Sequence, residues 1–149
     1  MMRVVSTVPA VLADLVIRIA AALPDVEVVD GHPITAANDM VCVGFSGESG
    51  EPAVESARSR DQVTLDPHHE SYSIACWAYA LRGDKDPVQV RELVYGYVNT
   101  VAAVLDANPI LGGLVGRVQL ATESLTQEQN DKGAQAELRF SIAVDAWTR

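Results

Sequence analysis

The chain has 149 residues, the size of one domain, and a chain this long can bury roughly 70% of its unfolded surface without disulfides or metals. Hydrophobic residues at 48% and charged residues at 21% exclude a disordered chain, and aromatics at 5% leave Val, Ala, Leu and Ile to fill the core. Twenty acidic against 11 basic residues give a net charge of -9, which excludes gripping nucleic acid or an anionic membrane through a basic face. It does not exclude DNA moving past without being held.

Cys42 and Cys76 are too few for a disulfide framework and fit a reducing compartment. Near the N-terminus, Asp14 and Arg18 interrupt the apolar run, and the uncharged stretch 4–13 contains Pro9. A signal peptide or a membrane span needs a cleaner or longer apolar segment. The expectation is a soluble protein made and used in the cytoplasm.

The first helix is predicted over residues 7–23. Val8, Leu12, Leu15, Ile19 and Leu23 form its apolar stripe, Thr7 is the N-cap, and Pro24 is the stop. A short strand is expected at 26–29 and a buried one at 39–45. Residues 46–52 read as a loop. Residues 53–65 read as an irregular strand with Val54, Ser56 and Arg58 on one face, and 66–69 as a loop or turn.

A long strand follows at 70–81, with Tyr72, Ile74, Cys76, Ala78 and Ala80 on one face. Asp86 as N-cap, Pro87 at the first helical position and Gln89 closing a capping box start the second helix, which runs to about 107. Its stripe is Val90, Val94, Tyr97, Val101 and Val104. After a turn at 111–113 comes a strand in which Leu114, Val118 and Leu120 alternate with Val115, Arg117 and Gln119. Residues 126–133 read as a polar connection. The last strand has the clearest alternation: Ala134, Ala136, Leu138, Phe140, Ile142, Val144 and Ala146 point one way, and Gln135, Glu137, Arg139, Ser141 and Asp145 the other. The order helix, strands, helix, strands excludes a repeated βαβ pattern. It predicts an α+β fold, a twisted antiparallel β-sheet with two α-helices packed on one face, in a single domain covering residues 1–149.

Chemistry-bearing residues are sparse. Cys42, Cys76, His68 and His69 lack the paired spacing of a zinc site and read as two core thiols and two loop histidines. No Gly-x-Ser-x-Gly elbow exists, and Ser46 is a near miss in a strand-to-loop segment. Asp84 with Asp86, and Glu48, Glu51 and Glu55, sit in polar surroundings where no apolar pocket raises a carboxyl pKa. Gly112, Gly113 and Gly116 precede a strand rather than a helix, unlike a phosphate cradle. Trp77 and Trp147 remain as core packing or partner anchors. No catalytic, metal or cofactor-binding residue is assigned, and the expectation is an interaction protein rather than an enzyme.

Over nearly its full length the chain resembles the tail terminator (tail completion) proteins of long-tailed bacteriophages, in the style common to phages of actinobacteria. The resemblance is carried by the order and spacing of short pieces. These are an apolar N-terminal helix, Val28-Val29-Asp30-Gly31-His32-Pro33, Val41-Cys42-Val43-Gly44, Glu70-Ser71-Tyr72-Ser73-Ile74-Ala75-Cys76, Gly83-Asp84-Lys85-Asp86, Asn108-Pro109-Ile110-Leu111-Gly112-Gly113 and Gly133-Ala134-Gln135-Ala136. It implies a small α+β virion protein forming a homohexameric ring. That ring would cap the major tail tube protein, meet a head completion or neck protein, and let DNA pass without specific binding. It implies no catalytic residues, no cofactor and no membrane. On that reading the expected interface residues are Glu48, Glu51, Arg58, Arg60, His68, His69 and Trp147, with pairing of the two arginines inside the chain, to Glu55 or Asp61, as the alternative. The competing classes are another neck component, a tail assembly chaperone, and a small cytoplasmic enzyme or ligand-binding domain.

Overall fold

The structure is a computed structural model and describes residues 5–48, 50–57, 68–84 and 86–148. Its elements in chain order are α1 (Val8–Ala22), β1 (Glu27–Asp30), β2 (Asp39–Val43), β3 (Val54–Ala57), β4 (His68–Arg82), α2 (Pro87–Ala107), a 3-10 turn (Leu111–Gly113), β5 (Arg117–Asn130) and β6 (Gly133–Thr148). The fold is α+β, with the described strands forming one sheet in the order β1-β2-β4-β6-β5 and β3 also paired to β4. All pairings are antiparallel except β1 with β2, which run parallel.

The central pair, β4 and β6, stays in register from His68↔Thr148 to Arg82↔Ala134. Strict two-residue alternation sorts its side chains. Ile74, Cys76, Ala78 and Ala80 of β4 and Leu138, Phe140, Ile142 and Val144 of β6 are buried beneath the helices. Alanines at 78, 80, 134 and 136 let α2 approach one end of the sheet closely. Of the predicted α1 stripe, Leu15, Ile19 and Leu23 are buried and Val11 joins them, while Val8 and Leu12 are only partly covered. In α2, Val98 and Leu105 join Val90, Val94, Tyr97 and Val101, while Val104 is half-buried.

The two helix starts are built differently. Asp86 caps α2 as predicted, its Oδ1 accepting the N–H groups of Val88 and Gln89 at 3.0 and 3.4 Å. The reciprocal bond comes from Asp84, whose Oδ1 accepts the Asp86 N–H at 3.4 Å, not from Gln89. At α1, Thr7 occupies the N-cap position without capping through its own side chain. Glu70, 1% exposed on β4, reaches across instead. Its Oε1 accepts both the Thr7 N–H and the Thr7 hydroxyl at 2.7 Å, and its Oε2 accepts the Ser6 hydroxyl at 3.0 Å. A second tie joins α2 to the sheet: Tyr97 donates its hydroxyl to Asp39 Oδ1, which also accepts from Arg82 Nη2 at 2.9 Å.

Two segments expected as loops are strand. His68 and His69 open β4, because the ladder to β6 continues to Thr148. Most of the expected polar connection at 126–133 is the outer half of β5, still paired to β6, and only Asp131 and Lys132 make the turn. Polar residues read as a loop here because an edge strand with little cover needs few apolar side chains. Of the expected strand at 53–65, Val54–Ala57 pair with β4, the Ala53 carbonyl just before them accepts the Ala75 N–H at 2.7 Å, and 58–65 lie outside the described residues.

Candidate assembly surface

The sheet face away from the helices mixes small side chains with larger polar and aromatic ones. By register it carries Ser71, Ser73, Ala75, Trp77 and Tyr79 of β4 opposite Asp145, Ala143, Ser141, Arg139 and Glu137 of β6. A β-bulge between Leu120 and Thr122 shifts the phase of β5, so Arg117 and Gln119 before it and Thr122, Ser124 and Thr126 after it share this face. A shallow depression of about 390 Å³ crosses one end, lined by Glu55, Ser71, Ser73, Arg117, Gln119 and Asp145 among others.

Beside that depression, one expected pair comes together. The His69 and Trp147 rings, directly opposite in the ladder, lie 4.5 Å apart between centroids, and Trp147 is 58% exposed. Asp145 organises the cluster: its Oδ1 is 2.6 Å from both His69 Nε2 and the Ser71 hydroxyl. The Ser71 hydroxyl bond, then the His69 bond, hold the Asp145 carboxyl below its ordinary pKa. Serine and histidine both bind one carboxylate oxygen, so the serine faces the acid rather than the imidazole. That differs from the arrangement in which histidine activates a serine nucleophile.

The other expected pair, Glu48 and Glu51, lies elsewhere on the face. The loop after β2 folds back so that Gly47, at φ +93°, sits on Trp77 and Arg139. A Cβ there would stand 2.8 Å from Trp77 Cδ1 and 2.9 Å from Arg139 Nε. Glu48 then pairs with Arg139 at 3.1 Å. A hydrogen bond with Glu51, followed by the Arg139 contact, lowers the Glu48 pKa. Trp77 Nε1 and Arg139 Nε have no hydrogen-bond partner among the described residues. Trp77 continues into an aromatic row, stacked on Tyr79 at 5.1 Å and edge-on to Phe45 at 5.6 Å, with His32 4.7 Å beyond. Trp77 and His69 are eight residues apart on β4, so roughly 26 Å separates the two clusters.

The expected interface set is therefore split. Arg58 and Arg60 lie outside the described residues, and His68 is placed only as the first residue of β4. Asp145, Arg139 and Trp77 organise the clusters but were absent from the expected set. Asp145 and Arg139 were visible as polar members of the outward row of β6, but nothing in one sequence says which strand lies opposite. Cys42 and Cys76 fall in rows on opposite faces of the sheet, and burial pushes both thiols up to about 12. Among the described residues no cluster of three or more His, Cys, Asp or Glu is placed to hold a metal, and no helix is long and apolar enough to cross a membrane.

No protein-family model and no curated protein matches the chain. Among solved structures it is similar to a chain in the virion of a native gene transfer agent (GTA) particle, with a TM-score of 0.55 and 10% sequence identity. The similarity covers 97% of this chain and 99% of that one. At that identity the likeness is one of fold.

Proposed function

We propose that this chain is a structural protein of a phage-type virion: the ring that terminates the tail tube and joins it to the neck. The observation carrying this reading is the fold likeness, nearly end to end in both chains, to a component of a gene transfer agent virion. The surface supports the same reading. Its polar side chains are tied to one another across a broad open face, with Trp147 exposed at one end as an anchor.

In the proposed ring, six copies repeat one heterologous contact about an axis. Six chains at -9 each carry -54, and acids facing the channel repel phosphates, so DNA passes without sticking. The partners are the major tail tube protein below and a head completion or neck protein above. Contacts are assigned to Trp147 with His69 at one end of the face, to His68 at the start of the same strand, to Glu48 and Glu51 at the loop, and to Arg58 and Arg60.

The test is made in the particle. Imaging virions with this subunit labelled should place it between tube and neck, and a chaperone would be missing from purified virions. A label elsewhere in the neck would replace the terminator role with that of another neck component. Reversing charge at Arg58 and Arg60 should leave the fold intact while impairing head–tail joining or tail-length control. Normal tails and titre would remove both arginines from the interface. The free ring should have a mass of about 95 kDa, six times 15.9 kDa.

A further inference from the structure

At the edge of the sheet, β5 has β6 on one side and no strand on the other among the described residues. Its first turnable backbone group is already used: the Val118 N–H points outward to the Pro109 carbonyl at 2.8 Å. The bulge between Leu120 and Thr122 reverses the phase, so beyond it Glu123, Leu125 and Gln127 are the residues whose N–H and C=O face outward. Among the described residues no backbone group bonds to those three from outside. The segment is tied to the start of α2, because the Gln127 side chain donates to the Pro87 carbonyl at 2.8 Å and accepts from Arg91 at 3.1 Å. Residues 117–130 contain neither Pro nor Lys, two common devices for closing an edge.

The charges say what fits. Glu123 and Glu128 flank the open stretch, and Glu137 lies opposite Thr126 on the neighbouring strand. A second copy extending the sheet side by side at the same height would bring its β1 edge to this position. The rows across the sheet put Asp30 level with Glu123, so acid would meet acid there, while Glu27 would fall level with Thr126.

We propose that residues 122–130 on the outer edge of β5 are a strand-acceptor site for an extended, basic segment of another protein. The partner's backbone completes the ladder at Glu123, Leu125 and Gln127, and its Lys or Arg side chains lie beside Glu123 on the helix face and beside Glu128 on the outward face. The site stands whether or not the chain forms a ring.

The test uses the whole chain and an eight-residue peptide in which Lys-Lys alternates with Thr-Thr, so that Lys falls on both faces of the strand, with the Glu/Thr peptide of the same pattern as its counterpart. Binding is followed by fluorescence anisotropy and by amide exchange in NMR. The Lys/Thr peptide should bind saturably and slow exchange at Glu123, Leu125 and Gln127 at least tenfold, while the Glu/Thr peptide does not bind. Glu123→Pro, which removes one outward N–H, should weaken binding at least tenfold with an unchanged far-UV spectrum. Should that variant not fold, Glu123→Lys should weaken the Lys/Thr peptide and admit the Glu/Thr one. Absent binding, binding without protection of those amides, or binding indifferent to both variants would overturn the proposal. A dimer of the free chain that Glu123→Pro dissolves would also overturn it, by giving the edge to a second copy.

Discussion

Replacing Glu70 with alanine should destabilise the fold by about 2–4 kcal/mol, although Glu70 lies far in sequence from the helix it serves. The magnitude follows from its contacts. The first turn of α1 has no acid of its own, and Glu70 supplies one at the positive end of the helix. Truncation deprives the buried Thr7 N–H of its acceptor, at about 1–3 kcal/mol. It also removes the equivalent of an N-cap, about 1 kcal/mol. The Thr7 hydroxyl suffers less, because the Tyr72 hydroxyl is 2.9 Å away. Set against a total of about 5–15 kcal/mol, this is a large fraction. Glu70→Gln keeps an acceptor of the same shape and should cost about 1 kcal/mol. Urea unfolding at pH 7, followed by far-UV circular dichroism, measures both. An alanine variant within about 1 kcal/mol of the wild type would refute the argument that Glu70 holds α1 onto the sheet.

Three further outcomes are expected. Neither Cys42 nor Cys76 should react with a thiol reagent at pH 8 in the native chain, and both should react in urea, since burial holds both thiols near 12; rapid native labelling would contradict their packing. Burial raises the Tyr72 pKa to about 12, while burial and the Asp39 hydrogen bond raise that of Tyr97. A raised folded value means the folded state binds more protons above the unfolded pKa of about 10. The stability from both tyrosines should therefore be whole below pH 10 and fall as pH rises towards and beyond 12; unfolding midpoints that do not change across that range would contradict it. Gly47→Ala should cost about 2 kcal/mol from the positive φ and the contact with Trp77, and should shift tryptophan emission to the red as the loop lifts. An unshifted spectrum would mean the loop does not seal Trp77.

The split interface set shows where single-chain reasoning stops. His69 and Trp147 both belong to the expected set, yet their meeting depends on a ladder that pairs residues 78 apart in sequence number. Glu48 and Glu51, expected as contacts for a partner, lie on a loop that Gly47 lets descend onto the sheet, and there Glu48 also pairs with Arg139 of the same chain. Both outcomes depend on strand register, and alternation along one strand carries no information about its neighbour.

Local chemistry determined the helices, the Asp86 cap, the long alternating final strand and the α+β class, because each depends on residues within a turn or two of one another. The parallel pairing of β1 with β2, the extension of β5 through a polar segment, and the burial of Glu70 under α1 were decided by the tertiary structure. A carboxylate in an apolar strand is costly until its donors arrive, and here the donors come from a helix start 63 residues away. Only the folded chain brings them together.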